Sequence, residues 1–104
     1  MTSIFTKIIK REIPSEIVFE NENIIVIKDI NPEAKIHLLI IPKKEIPSVN
    51  DLQEWDNELF LELFSIARKL AQDLHISEWY KLLFNVGPQA QDVMHIHLHL
   101  LSDI

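Results

Sequence analysis

Apolar positions in this chain recur with two different periods. Ile4, Phe5, Ile8 and Ile9 are spaced as on one face of a helix, and Pro14 stops that segment, which predicts a short helix near the start. The stretch from Glu16 to Glu20 and the run Ile24–Ile27 read as two strands joined by a tight turn at Asn21–Asn23. Asp29–Pro32 reads as a second turn. Ile36–Ile41 reads as a third strand, stopped by Pro42. Asp51 and Glu54 have the spacing of a capping box. From there to Leu74, the residues Trp55, Leu59, Phe60, Leu63, Phe64, Ala67, Leu70, Ala71 and Leu74 mark one apolar face of a long helix. Trp79–Val86 then predicts a fourth strand, Gly87–Gln91 a loop, and Met94–Leu101 a fifth strand. Short connections favour antiparallel pairing. The expectation is an α+β meander of five strands with both helices on one side of the sheet.

Composition narrows this picture. A length of 104 residues suits a single domain over 1–104. One glycine in the whole chain weighs against turn-dense all-β folds. The formal charge of −6 does not suit general capture of nucleic acid, though a small anion can still be held by local donors. Without cysteine there is no disulfide, thiolate metal site or cysteine nucleophile. No run has the length of a membrane-spanning helix, and the charged start lacks the features of a signal peptide. The expectation is a cytoplasmic protein with neither nucleic acid nor membrane as partner.

The chemistry gathers in His95-Ile96-His97-Leu98-His99-Leu100-Leu101. On a strand, alternate side chains share a face, so the three imidazoles are expected on one side and the aliphatic residues on the other, against the long helix. A lone histidine on a strand is usually structural. Three on one face are expensive to bury without partners. Two chemistries use such a face. Neutral imidazoles chelate zinc. Alternatively, one imidazole attacks phosphorus while its neighbours donate to the phosphoryl oxygens. His37, on the third strand, fits either arrangement, and the residues alone leave both open.

His-Ile-His-Leu-His-Leu-Leu resembles the H-φ-H-φ-H-φ-φ motif of the histidine-triad (HIT) family, especially its Hint branch of purine nucleoside phosphoramidases. Ile4-Phe5-Thr6-Lys7-Ile8-Ile9 with Glu12-Ile13-Pro14 resembles the family's N-terminal block. Asp29-Ile30-Asn31-Pro32-Glu33-Ala34 with His37-Leu38-Leu39-Ile40-Ile41-Pro42-Lys43-Lys44 resembles a second block, and Asn85-Val86-Gly87 a third. The resemblance implies a five-stranded antiparallel sheet with two helices, a homodimer, and a purine nucleotide as substrate. It makes His97 the nucleophile at the α-phosphorus and His99 a donor to phosphoryl oxygens or the leaving group. It gives His95 and His37 the hydrogen-bond network that holds the tautomer of His97. It also implies that Asp29 accepts the ribose hydroxyls and that Phe5, Ile8, Ile27 and Ile30 wall the purine. Asn85 would contact the ribose–phosphate side, and Gln91, Asp92 and Val93 would form the phosphate loop.

The chain departs from that pattern in two places. The loop before the triad usually reads Gly-Gly-Gln-Ser/Thr-Val, whereas here it reads Gln89-Ala90-Gln91-Asp92-Val93. A carboxylate at Asp92 would repel a nearby phosphate by about 1–4 kcal/mol. Many bacterial members hold structural zinc through C-x-x-C and a later histidine, together with the first triad histidine. Ser3, Thr6 and Glu45 stand at the first three of those positions, so no metal and no cofactor is expected. The favoured reading is a metal-free nucleotidyl hydrolase. The alternatives are a nucleotide-binding module with weakened turnover and a histidine-rich metal protein.

Overall fold

The computed structural model describes residues 2–104; Met1, the first residue of the expected domain, lies outside them. Helix α1 spans Ile4–Ile9, and Ser3 caps it by accepting from the Thr6 N–H at 3.1 Å. Strands β1 (Ile17–Glu20), β2 (Ile24–Lys28) and β3 (Ile36–Pro42) follow. The long helix α2 covers Asn57–Asp73, and β4 (Lys81–Leu83) and β5 (Leu98–Ser102) complete the sheet. The result is α+β: one five-stranded antiparallel sheet, a short N-terminal helix and one long helix.

The strand order is β1-β2-β3-β5-β4. The expected meander is therefore interrupted, because β5 returns to lie between β3 and β4. This insertion pairs Leu39 with His99 and His37 with Leu101, so that residues far apart in sequence meet at the centre of the sheet.

The two helices pack on opposite faces rather than on one. Ile24, Val26, Leu38, Ile40, Leu98 and Leu100 meet Leu63, Ile66, Ala67, Leu70 and Ala71 of α2. Ile25, Ile27, Leu39 and Ile41 face the other way and meet Phe5 and Ile8 of α1. The unbroken apolar runs of β2 and β3 account for this, because a strand covered on both faces has no polar side.

Three boundaries differ from the sequence expectation. Asp51 does not begin the long helix; Ser48 caps a 3-10 turn at Val49–Asp51, and a capping box between Gln53 and Asp56 opens a second at Glu54–Asp56. Trp55 therefore stands outside α2 and is 76% exposed, while Ile66, absent from the expected face, is buried. Strand β4 has three residues instead of eight. Strand β5 starts at Leu98 rather than Met94, because its ladder with β3 ends at the Ile40–Leu98 pair.

Both helices close with the Schellman pattern without glycine at the left-handed position. At α2, His75 has φ 59° and Ile76 N–H donates to Ala71 O. At α1, Arg11 has φ 64° and Glu12 N–H donates to Lys7 O.

Candidate active site

The aliphatic half of the triad segment does what its alternation suggests: Ile96, Leu98 and Leu100 enter the core beneath α2. The imidazoles lie on the other side, but they do not surround one point. His97 and His99 line a cleft of about 310 Å³ together with Phe5, Ile8, Ile27, Asp29, Ile30, Asp92 and Val93. His95 is fully buried, held between Pro42 and Ser3. This follows from where the ladder stops. Beyond Leu98 the chain leaves β3, and Ile96 N–H donates instead to Ile46 O at 2.8 Å.

Hydrogen bonds assign the protons. The Pro42 carbonyl can only accept, so His95 carries its proton on Nε2 and donates it there at 2.7 Å. Its Nδ1 then accepts from the Ser3 hydroxyl at 2.6 Å. His97 Nδ1–H donates to the backbone oxygen of His95 at 2.7 Å. The Nε2 of neutral His97 is consequently a free lone pair.

A second chain of bonds fixes the other pair. Glu33 N–H donates to His37 Nδ1 at 3.1 Å, so neutral His37 holds its proton on Nε2. That proton is shared with His99 Nδ1 at 2.9 Å, with Asp29 Oδ2 more distant at 3.4 Å. His99 must then carry its proton on Nε2. Among the described residues this is the buried side-chain nitrogen or oxygen that has no partner. The rings of His97 and His99 stand 4.9 Å apart, centroid to centroid. A free lone pair and an unpaired donor thus belong to adjacent imidazoles on one cleft wall.

Burial disfavours charge on the three triad imidazoles. Desolvation lowers the pKa of His97 and of His95 despite the hydrogen bonds each makes to a backbone oxygen. His99 is lowered furthest, to about 4, by desolvation first and then by the neighbouring His97 and His37.

The remaining expected residues divide into two groups. Phe5 packs edge-on to His97 at 5.0 Å between centroids, and Ile8 and Ile27 continue that apolar wall. Ile30 stands at the rim, 88% exposed. Asp29 is half-buried and accepts from Asn31 N–H at 2.9 Å. Asp92 is exposed at the edge of the cleft, beside the half-buried Val93. Two residues lie outside the cleft. Asn85 is exposed beyond the end of β4. Gln91 turns inward, where its amide donates to Pro47 O and Val93 O and its carbonyl accepts from Gly87 N–H. It braces the loop that carries Asp92. Leu39, Ile13 and Asn31 also line the cleft but carry no sequence signal beyond being apolar or lying in a turn. Glu33 contributes only its backbone, which no side-chain pattern reveals.

Two metal sets were tested against this geometry. Ligand atoms of Asp29, His37 and His99 lie within 4.8 Å of one another. Yet the 2.9 Å between His37 Nε2 and His99 Nδ1 is a hydrogen bond, shorter than the roughly 3.3 Å between two nitrogens on one tetrahedral zinc. The Glu33 N–H, by occupying Nδ1, also keeps the proton on the nitrogen that would have to ligate. At Ser3, Thr6, Glu45 and His95, two hydroxyls replace thiolates, and the His95 Nδ1 lone pair is already engaged. Neither set fits zinc as it stands.

An antiparallel α+β sheet that presents paired imidazoles beside an apolar cleft defines the class of protein. The comparisons with known proteins agree. A family model described as "Scavenger mRNA decapping enzyme C-term binding" matches residues 2–104. The purine nucleoside phosphoramidase of Escherichia coli K12 is 42% identical over 102 residues, covering 96% of this chain and 86% of that protein. A HIT family hydrolase from Legionella pneumophila superposes with a TM-score of 0.93 at 47% identity, covering 97% of this chain and 92% of the other. A histidine triad nucleotide-binding protein from Candida albicans gives a TM-score of 0.87 at 32% identity, covering 99% of this chain and 76% of the other. The chain belongs to the histidine-triad family.

Proposed function

We propose that this protein binds a purine nucleotide in the cleft and hydrolyses purine nucleoside phosphoramidates, or related acyl and aminoacyl nucleotides, through a nucleotidyl intermediate on His97. The observation that carries this reading is the free His97 Nε2 lone pair beside the unpaired His99 Nε2–H. Attack by neutral His97 forms an N–P bond and breaks the bond from phosphorus to the leaving group. A carboxylate leaves without a proton, and an amine leaves from the N-protonated substrate. Water then attacks phosphorus, His97 departs as neutral imidazole, and a proton is released. The His99 N–H, which has no partner within the protein, donates to the phosphoryl oxygen on which charge collects once a small shift of the cleft wall uncovers it. His37 holds His99 in that tautomer, and the His95 carbonyl does the same for His97.

The purine would lie against Phe5, Ile8 and Ile27, with Ile30 folding over it and Asp29 accepting from the ribose. Gln91 acts from outside the cleft by holding Asp92 and Val93 in place. No metal or cofactor takes part. We read residues 1–104 as one HIT domain of a cytoplasmic protein; no helix among the described residues is long and apolar enough to cross a membrane. A homodimer is supported by the apolar side chains left open around edge strand β4 and on α2, including Leu61, Trp79 and Leu83.

The test is hydrolysis of adenosine 5′-phosphoramidate by wild type and His97→Ala, each with and without chelator. Wild-type turnover that ignores chelator and falls at least about a thousandfold in the variant supports the reading. AMP binding without turnover in wild type would favour the weakened nucleotide-binding module, with Asp92 as the cause.

A further inference from the structure

Ser3, Thr6 and Glu45 gather around His95 although 42 positions separate Ser3 from Glu45 and 92 separate it from His95. One carboxylate oxygen of Glu45 accepts twice, from Ser3 N–H at 2.7 Å and from the Thr6 hydroxyl at 2.6 Å. Thr6 N–H donates to the Ser3 oxygen at 3.1 Å, and the Ser3 hydroxyl donates to His95 Nδ1 at 2.6 Å. His95 passes its remaining proton to Pro42 O at 2.7 Å. The Ser3 hydroxyl proton goes to His95 rather than to the Thr6 oxygen, which is 3.4 Å away, and the central imidazole is fully buried. The same residue, His95, supplies the carbonyl that accepts from His97 Nδ1 at 2.7 Å.

We propose that Ser3 and Glu45 are positioning residues for the nucleophile, acting through His95. Glu45 anchors the backbone of Ser3, Ser3 anchors the His95 ring, and the twice-held ring leaves the His95 carbonyl no freedom to turn from His97. The cluster also fastens the first turn of α1, which brings Phe5 within 5.0 Å of the His97 ring, centroid to centroid. Both the tautomer and the lateral packing of His97 thus depend on a hydroxyl and a carboxylate that touch neither His97 nor the cleft.

This inference rests on His97 being the nucleophile, so its test carries a readout independent of turnover. Ring nitrogen NMR on histidine-labelled protein reports the His97 tautomer directly. Wild type is expected to show His97 protonated on Nδ1 and His95 on Nε2. In Ser3→Ala, with the folded state verified by its amide spectrum, the His97 nitrogen shifts are expected to move toward the average of the two tautomers. In phosphoramidate hydrolysis kcat is expected to fall about tenfold with KM changed less than twofold, the scale of one lost buried hydrogen bond. Ser3→Thr should restore both readouts. Glu45→Ala, which removes both bonds to the carboxylate and keeps the Ser3 hydroxyl, should give the same changes at about a third of the size. That variant also serves if Ser3→Ala does not fold. Folded variants that melt at lower temperature but keep wild-type His97 shifts and kcat would overturn the proposal, as would failure of threonine to restore the shifts. If wild type does not turn over, the assignment of His97 as nucleophile fails, while the NMR arm still decides whether Ser3 and Glu45 set its tautomer.

Discussion

Replacing His99 by glutamine should flatten the acid dependence of folding stability. The His99 pKa falls from the ordinary 6.5 to about 4 in the native state, chiefly through desolvation. Between those values the unfolded chain binds a proton that the folded chain refuses, so stability rises with pH across the window. The contribution is present in full above pH 6.5, begins to fade as pH drops below it, and is gone by about pH 4. Two and a half units correspond to about 3 kcal/mol at 1.36 kcal/mol per unit, and water reaching the cleft side of the ring trims this toward 2. His95 and His97 are lowered too and act in the same direction, but they are common to both proteins. Glu20, Glu45 and Asp56, whose pKa values are lowered by hydrogen bonds to Lys43, Ser3 and Lys44 respectively, also lose their contribution in acid and likewise cancel in the comparison. The assay is urea unfolding of wild type and His99→Gln at pH 7, 6, 5 and 4, followed by far-UV circular dichroism and tryptophan fluorescence. The stability difference between the two proteins should shift by about 2–3 kcal/mol in favour of the variant from pH 7 to pH 4. A difference that stays constant across the series would refute the argument, because it would mean that His99 titrates alike in both states.

Two further outcomes are expected. Asp92→Ser removes an exposed carboxylate from the cleft edge and should raise kcat/KM for phosphoramidate about five- to thirtyfold at low ionic strength, less at high salt; an unchanged rate would clear Asp92 of blame for any weak turnover. His75→Gly relieves a left-handed non-glycine residue at the end of α2 and should stabilise the protein by up to about 1 kcal/mol in thermal or urea unfolding, with catalysis untouched.

Sequence legibility differed from one part of the molecule to another. The four-residue run Ile24–Ile27 and the longer one in β3 already imply strands buried on both faces, which is why expecting both helices on one side failed. The long helix was legible through its 3.6-residue period, but its start was not, because two 3-10 turns with their own caps precede it. The triad announced itself through alternation. Its division into one buried imidazole and two cleft imidazoles depends on where β3 stops pairing, and that is a property of the assembled sheet. The bond between His37 and His99 spans 62 positions, and only the family resemblance placed those two residues in one site. Ser3, Thr6 and Glu45 were legible solely as replaced zinc ligands; their mutual hydrogen bonds emerge from the fold.

The insertion of β5 between β3 and β4 also bears on how the molecule opens. His37 and His99 sit on the central pair of strands, whose separation would take the sheet apart, so the amides bonded across that ladder, those of Leu38 and Leu100 beside them, should exchange with solvent only through global unfolding. Phe5 and Ile8 ride on a six-residue helix that is fastened at its first turn and packs on the sheet through two buried side chains. That helix can detach while the strands stay paired. Mild denaturant should therefore dismantle the apolar wall of the cleft before it separates the imidazoles, leaving an intermediate in which the reactive groups persist but the surface that would hold a base against them is gone.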